Sequence, residues 1–264
     1  MKNVTSRDNR IVKLCKQLQQ RKYRDKTGMY LIEGPNILRD ALSLGVPLEA
    51  IIVRSGYFER SRDFALSDMP PDTELATLTE SLFDEIAETE HSQGIMAIVR
   101  RKPQDADEFF EKAGKDGNLV VLDRLQDPGN IGTIIRTADA AGYKGVVAIK
   151  GCTDIFSPKV VRAAAGSVFR VPVLFAETPE QAAGQIKATG RRLIATCFDT
   201  EKYYFDIDMK KGIALIIGNE GNGISRELIS LSDEKIKIPM EGSIDSLNAA
   251  VAAGILMYES RRIL

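Results

Sequence analysis

Between Asn9 and Lys26, Ile11, Leu14, Cys15 and Leu18 recur at helical spacing while most basic residues fall off that face, which predicts one amphipathic helix with a cationic outer surface. The apolar run at 28–33 predicts a strand. Pro35 then opens a helix whose buried positions are Ile37, Leu38, Ala41 and Leu42, and Gly45 stops it. Further strands are predicted at 48–53, 75–78 and 94–99, with a helix over 81–87. The first hundred residues therefore read as a small α/β unit.

Residues 100–117 are charged and carry Pro103, Gly114 and Gly117, the pattern of a connecting segment, with room for a short helix around Phe109. Beyond it, short aliphatic runs at 119–122, 146–149, 171–175, 193–196, 213–217 and 235–238 alternate with helical segments. Short, near-continuous aliphatic strands separated by helices predict a parallel sheet covered on both faces. A chain of 264 residues is long enough for two such cores. The expected division is a first domain over 1–105, a linker over 106–117 and a Rossmann-like domain over 118–264.

Charge changes the picture only when it is followed along the chain. Lys and Arg total 36 against 37 Asp and Glu, a net charge of −1 that gives no hint of a polyanionic partner. The stretch from Met1 to Lys26, however, carries nine basic residues (Lys2, Arg7, Arg10, Lys13, Lys16, Arg21, Lys22, Arg24 and Lys26) and only Asp8 and Asp25 as acids. Such a stripe is an expected footprint for phosphate, with Arg10, Lys13, Arg21, Lys22 and Arg24 as the candidate contacts.

Several functions are disfavoured at this stage. The longest apolar stretch, 249–258, is far shorter than the roughly 18–20 residues of a membrane span, and the start of the chain lacks the apolar core of a secretion signal, so a cytoplasmic protein is expected. Cysteines stand only at 15, 152 and 197, without paired spacing, and read as packing residues. With His91 as the only histidine, neither a His-dependent triad nor a multi-histidine metal centre is expected, and no metal is assigned.

Ligands of open parallel sheets bind beyond the carboxyl ends of the strands, which singles out three loops. The first follows the strand at 119–122 and leads through Pro128, Gly129 and Asn130 into a helix with buried Ile131, Ile134, Ile135 and Ala138, leaving Arg136 able to reach an anion near that helix's start. An arginine there is otherwise an ordinary surface ion-pair partner. The second loop, Gly218 to Gly223, has glycine spacing G-x-x-G-x-G, which matches neither the dinucleotide fingerprint nor a P-loop, and it encloses the carboxylate of Glu220. The third, from Ile238 to Asn248, leads into an Ala-rich helix for which Ser246 is the natural N-cap. Asn248 is a polar residue at the start of an apolar turn that needs hydrogen-bond partners if buried.

Together the three segments resemble the SpoU (TrmH-type) RNA 2′-O-ribose methyltransferases of the trefoil-knotted SPOUT superfamily. Asn130-Ile-Gly-Thr-Ile-Ile-Arg136 is similar to the first family motif, residues 217–224 to the second and residues 238–249 to the third, in the right order and each at a strand end. Tyr30-Leu-Ile-Glu-Gly34 before a helix is a looser match to the family's substrate-binding domain, whose fold is related to small ribosomal RNA-binding proteins.

The resemblance implies a C-terminal trefoil knot, S-adenosylmethionine as cofactor and a homodimer formed through the knotted domain. Gly218, Asn219, Ile238 and Leu247 would hold the cofactor, largely through main-chain atoms, with Thr196 and Met240 lining the adenine pocket. Arg136 would clamp the substrate phosphate and stabilise the developing alkoxide, Glu220 would orient Arg136 or accept hydrogen bonds, and Asn130, Ser246 and Asn248 would fix these groups. The expected substrate is ribosomal RNA of the large subunit. The alternatives are a transfer-RNA methyltransferase, a non-catalytic RNA-binding or ribosome-assembly factor, and, least supported, an NAD-dependent enzyme.

Overall fold

In chain order the elements are β1 (Lys2–Val4), α1 (Arg10–Leu18), α2 (Arg21–Thr27), β2 (Met29–Glu33), α3 (Pro35–Ser43), β3 (Leu48–Arg54), α4 (Tyr57–Arg60), β4 (Glu74–Leu78), α5 (Glu80–Ile86), β5 (Ile95–Arg100), α6 (Ala106–Ala113), β6 (Leu119–Asp123), α7 (Pro128–Ala140), β7 (Gly145–Ile149), α8 (Pro158–Ala164), α9 (Ser167–Arg170), β8 (Val173–Ala176), α10 (Pro179–Ala188), β9 (Arg192–Thr196), β10 (Ile213–Gly218), α11 (Arg226–Leu231), β11 (Glu234–Ile236) and α12 (Ala249–Glu259). They are seen in a computed structural model that describes residues 2–61, 69–71, 73–242 and 246–262. Two compact units result, one of Met1–Pro103 with Phe156–Phe169, the other of Gln104–Ile155 with Arg170–Leu264.

The first unit is a mixed five-stranded sheet in the order β1-β4-β3-β5-β2. The single helix expected over residues 9–26 is two, because Gln20 takes an extended conformation (φ −103°, ψ 133°) between α1 and α2. The break is stabilised by Arg24, which is 6% exposed and donates from Nη1 to the Leu18 carbonyl at the end of α1. A guanidinium satisfying an orphan helix carbonyl is a structural use of charge, which withdraws Arg24 from the surface set of expected RNA contacts. This unit also takes in a segment that lies far along the chain. Helix α8 packs on β2, and the Phe156 ring meets Tyr30 with centroids 4.9 Å apart while the Arg101 guanidinium lies over the Phe156 ring at 5.1 Å.

The second unit is a six-stranded sheet in the order β11-β9-β10-β6-β7-β8, with every pairing parallel. All residues of β6 and β7 are buried, which is why these strands lack alternation in the sequence. The segment expected as a linker, 106–117, carries the short helix for which the sequence left room around Phe109, α6, capped by the Asp105 carboxylate and anchored by Phe109 in the core with Leu119, Val147 and Leu174. Phe109 and Ala113 are its two buried positions, set among charged neighbours.

From β6 the chain runs outward through β7 to β8, then returns on the opposite side to place β9 and insert β10 beside β6. The order in which strands are added therefore reverses between β6 and β10, which run parallel with Gly218 in register with Asp123. The loops after these two strands emerge side by side at this switch point. The passage that would close the knot includes residues 243–245, which lie outside the described residues, as does that part of the third motif.

Candidate active site at the switch point of the parallel sheet

Helix α7 begins as its sequence dictates, with Pro128 in its first turn and the Asp127 carboxylate accepting from the Asn130 amide at 2.7 Å. Asn130 is 8% exposed, turned inward from the exposed face that carries Thr133 and Arg136. After β10 the loop closes on itself. Asn219 and Gly223 exchange backbone hydrogen bonds of 3.0 and 2.9 Å, and the Asn219 carboxamide oxygen accepts from the amides of Gly221 and Asn222. Gly218 is required by this closure, since a Cβ there would lie 2.4 Å from the backbone of both Gly223 and Ile224. Its lack of a side chain serves the loop's own return.

The three motif loops are joined by one chain of hydrogen bonds. Glu220 accepts from the backbone amides of Gln126 and Asp127, both at 3.1 Å, and from Asn130 Nδ2 at 3.0 Å. Asn130 Oδ1 in turn accepts from Asn248 Nδ2 at 2.9 Å. Asn248 Oδ1 accepts from the amides of Ala250 and Val251, which makes Asn248 the N-cap of α12 in place of the expected Ser246. Each donor meets an acceptor, so both asparagine side chains have one orientation. A further link runs from Asn219 Nδ2 to the Arg124 carbonyl at 2.9 Å.

Burial raises the Glu220 pKa, but the hydrogen bonds from Asn130 and from the two loop amides outweigh it and hold the carboxyl below its ordinary 4.5. At neutral pH Glu220 is an anion whose acceptor sites are taken by the loop, which makes it a brace and a poor proton acceptor. Of its two expected roles, Glu220 therefore accepts hydrogen bonds, and it makes no ion pair with Arg136. Arg136 is exposed, and its guanidinium has no hydrogen-bond or ion-pair partner among the described residues.

A cavity of about 500 Å³ opens between the loops after β9, β10 and β11 and the start of α12. Thr196, Gly218, Asn219, Ile238, Met240 and Leu247, the residues expected at a cofactor, all line it, together with Glu220, Ser246 and Asn248. Asn130 and Arg136 do not, although Asn130 touches two residues that do. Two wall residues, Cys197 and Phe198, were missed by sequence reading, although their place directly after a strand was a signal. Asp123 was missed as well. It is fully buried at the end of β6, where Oδ2 accepts from the Ser225 amide at 2.6 Å and so ties the first loop to the entry of α11.

The three thiols divide accordingly. Burial pushes the Cys15 pKa up to about 12 and that of Cys152 up to about 11, so both are neutral packing groups, whereas Cys197 faces the cavity. Among the described residues no cluster of His, Cys, Asp and Glu could hold a metal ion, and no helix is long and apolar enough to cross a membrane.

The expected cationic stripe is largely paired. Arg10 bonds Glu49 at 3.0 Å and Glu74 at 2.6 Å, Lys13 meets Asp8, Lys16 and Arg7 share Glu85, and Arg21 meets Asp25. Lys22 and Lys26 are exposed, with no ion pair among the described residues. Glu49, Glu74 and Glu85 belong to the part of the chain that carries the acidic balance, so charge segregated in sequence is recombined in space.

An open parallel sheet with a cavity of this size at the mouth of its switch point defines a cofactor-binding α/β domain. The chain belongs to the SpoU rRNA Methylase family, whose model matches residues 117–258, and residues 9–97 match the MRM3-like substrate binding domain. It is 36% identical over 261 residues to the 23S rRNA (guanosine(2553)-2′-O)-methyltransferase RlmP of Bacillus subtilis, covering 99% of this chain and 100% of that protein. In structure it is similar to an AdoMet-bound rRNA methyltransferase from Sinorhizobium meliloti, with a TM-score of 0.86 at 34% identity over 98% of this chain and 97% of that one. The SpoU methyltransferase AviRb from Streptomyces viridochromogenes, in complex with AdoMet, superposes with a TM-score of 0.87 at 31% identity over 96% of this chain and 97% of that one.

Proposed function

We propose that this protein transfers a methyl group from S-adenosylmethionine to a ribose 2′-hydroxyl of RNA, and that its substrate is large-subunit ribosomal RNA in the cytoplasm. The observation that carries the reading is the brace Asn248–Asn130–Glu220, which locks three motif loops around one cavity. The cavity suits the cofactor, since about 500 Å³ falls within the usual range for small-molecule sites and Ile238, Met240 and Leu247 give the apolar slot an adenine needs. When bound, S-adenosylmethionine supplies an activated methyl group on a sulfonium. Arg136, without a partner among the described residues, clamps a substrate phosphate and stabilises negative charge growing on the ribose oxygen. A guanidinium does not serve as the base at neutral pH. Ser246 and Asn248, at the cavity wall, fix the ribose, and Glu220 with Asn130 keeps the wall in shape.

Ribosomal RNA is favoured over transfer RNA because likeness to proteins named for ribosomal RNA runs through the substrate-binding unit as well as the methyltransferase unit. Mapping 2′-O-methyl positions in ribosomal and transfer RNA from cells with and without the protein tests this. Loss of one large-subunit position is expected. A change confined to transfer RNA overturns the substrate, and no change in either overturns the activity.

We further propose a homodimer through the second unit. Val251 and Tyr258 are each 53% exposed and Ile255 36%, a stripe of large apolar residues along one face of α12. A second copy of this face would cover it. Sedimentation should give a dimer that Ile255→Glu dissociates; a monomeric wild type refutes the assembly.

A further inference from the structure

Among the described residues only Arg124 and Ala165 are non-glycines with positive φ, and Arg124 (φ 56°) is the first residue after β6, at the mouth of the switch point. Glycine or asparagine would enter that conformation at less cost, so the choice of arginine there calls for a use of its side chain. The side chain is held at one edge only. Its Nε donates to Asp123 Oδ1 at 3.1 Å, and Asp123 is wholly buried and fixed by the Ser225 amide. The Arg124 carbonyl is also fixed, accepting from Asn219 Nδ2 at 2.9 Å and Gln126 Nε2 at 3.0 Å. The guanidinium is thus oriented from below, while its two Nη groups make no hydrogen bond among the described residues and the side chain stays 45% exposed. Asp123 is the only acid within ion-pair distance among those residues.

We propose that Arg124 is a second phosphate anchor for the RNA substrate, its Nη edge taking a backbone phosphate near the nucleotide to be methylated. The proposal rests on the reading of this protein as an RNA methyltransferase. A planar donor fork with one edge clamped is suited to the paired oxygens of a phosphodiester. The cofactor's carboxylate is the other anion the site would meet, but Arg124 is not among the residues lining the cavity. Arg124 acts in binding and positioning, separately from Arg136, which lies on the exposed face of α7.

The test uses the full-length protein, labelled S-adenosylmethionine and large-subunit RNA from cells lacking the protein, with Arg124→Gly and Arg124→Lys compared. Glycine accepts the left-handed backbone, so the loop is kept. Arg124→Gly is expected to raise the KM for RNA on the order of tenfold, with a much smaller fall in kcat, and to make the dependence of log affinity on log salt shallower by about one. Cofactor affinity should be unchanged, and Arg124→Lys should restore the salt slope and part of the affinity. An unchanged RNA KM and salt slope, with only a lower melting temperature, would overturn the proposal in favour of a mere partner for Asp123. Weakened cofactor binding would overturn it in favour of the cofactor carboxylate. If both variants behave this way while the wild type methylates RNA, the proposal fails alone; a wild type that binds no RNA defeats it together with the functional reading.

Discussion

Arg136→Ala is expected to lower methyl transfer by about 10²–10³-fold, the usual cost of removing a preorganised charge at a developing oxyanion. Stability should hardly change, because no side-chain partner among the described residues is lost. Cofactor affinity should also hold, since Arg136 does not line the cavity. Turnover on ribosomal RNA together with calorimetric titration of S-adenosylmethionine separates the outcomes. Retained turnover would remove Arg136 from the chemistry, and lost cofactor affinity would place it at the wrong ligand. Arg136→Lys should recover little, because an ammonium keeps the charge but not the fork.

Gly218→Ala has the largest expected effect on the site's integrity. The added Cβ would meet main-chain atoms of Gly223 and Ile224 at 2.4 Å, and backbone cannot swing aside as a long side chain can. A loss of about 3 kcal/mol is expected, and cofactor affinity should fall with it because Gly218 forms part of the cavity wall. Gly221→Ala is the control, as the nearest atom to its Cβ would be Asn219 Oδ1 at an ordinary 3.7 Å. Thermal melts of the two variants should therefore diverge. Equal melting temperatures would mean that the loop relaxes freely and that its tight return is not what demands glycine.

Much of this site was legible because strand ends are legible. Runs such as 119–122 and 213–217 are apolar without a break, so the chemistry that follows is displayed by contrast. What could not be read was pairing between distant side chains. Of the two roles expected of Glu220, orienting Arg136 or accepting hydrogen bonds, it fills the second, taking Asn130 Nδ2 and two backbone amides, and backbone amides have no signature in a sequence. Ser246 and Asn248 are both good capping residues two positions apart, and only the bond to Asn130 explains why the second takes the role.

The same limit applies to the basic stripe. Arg10 and Glu74 are remote in sequence and 2.6 Å apart in space, and Arg24 is charged yet buried on a helix carbonyl. The stripe therefore cannot be tested by deleting residues 1–26, because Ile11, Val12, Cys15 and Leu18 are core residues of the same stretch. Exposed Lys22 and Lys26 are the cleaner positions at which to probe RNA affinity.

The inclusion of Phe156–Phe169 in the first unit has a consequence for how the chain is made. Synthesis runs from the N-terminus, so Met1–Pro103 emerges first, without α8 to cover β2 and without Phe156 to meet Tyr30. At about 5–20 residues per second the missing segment follows only several seconds later. During that interval the nascent sheet exposes apolar surface that the finished protein covers, and β6 and β7 are already leaving the ribosome. A chaperone that holds the early chain would have its substrate here, and slowing translation between residues 103 and 169 would lengthen its task.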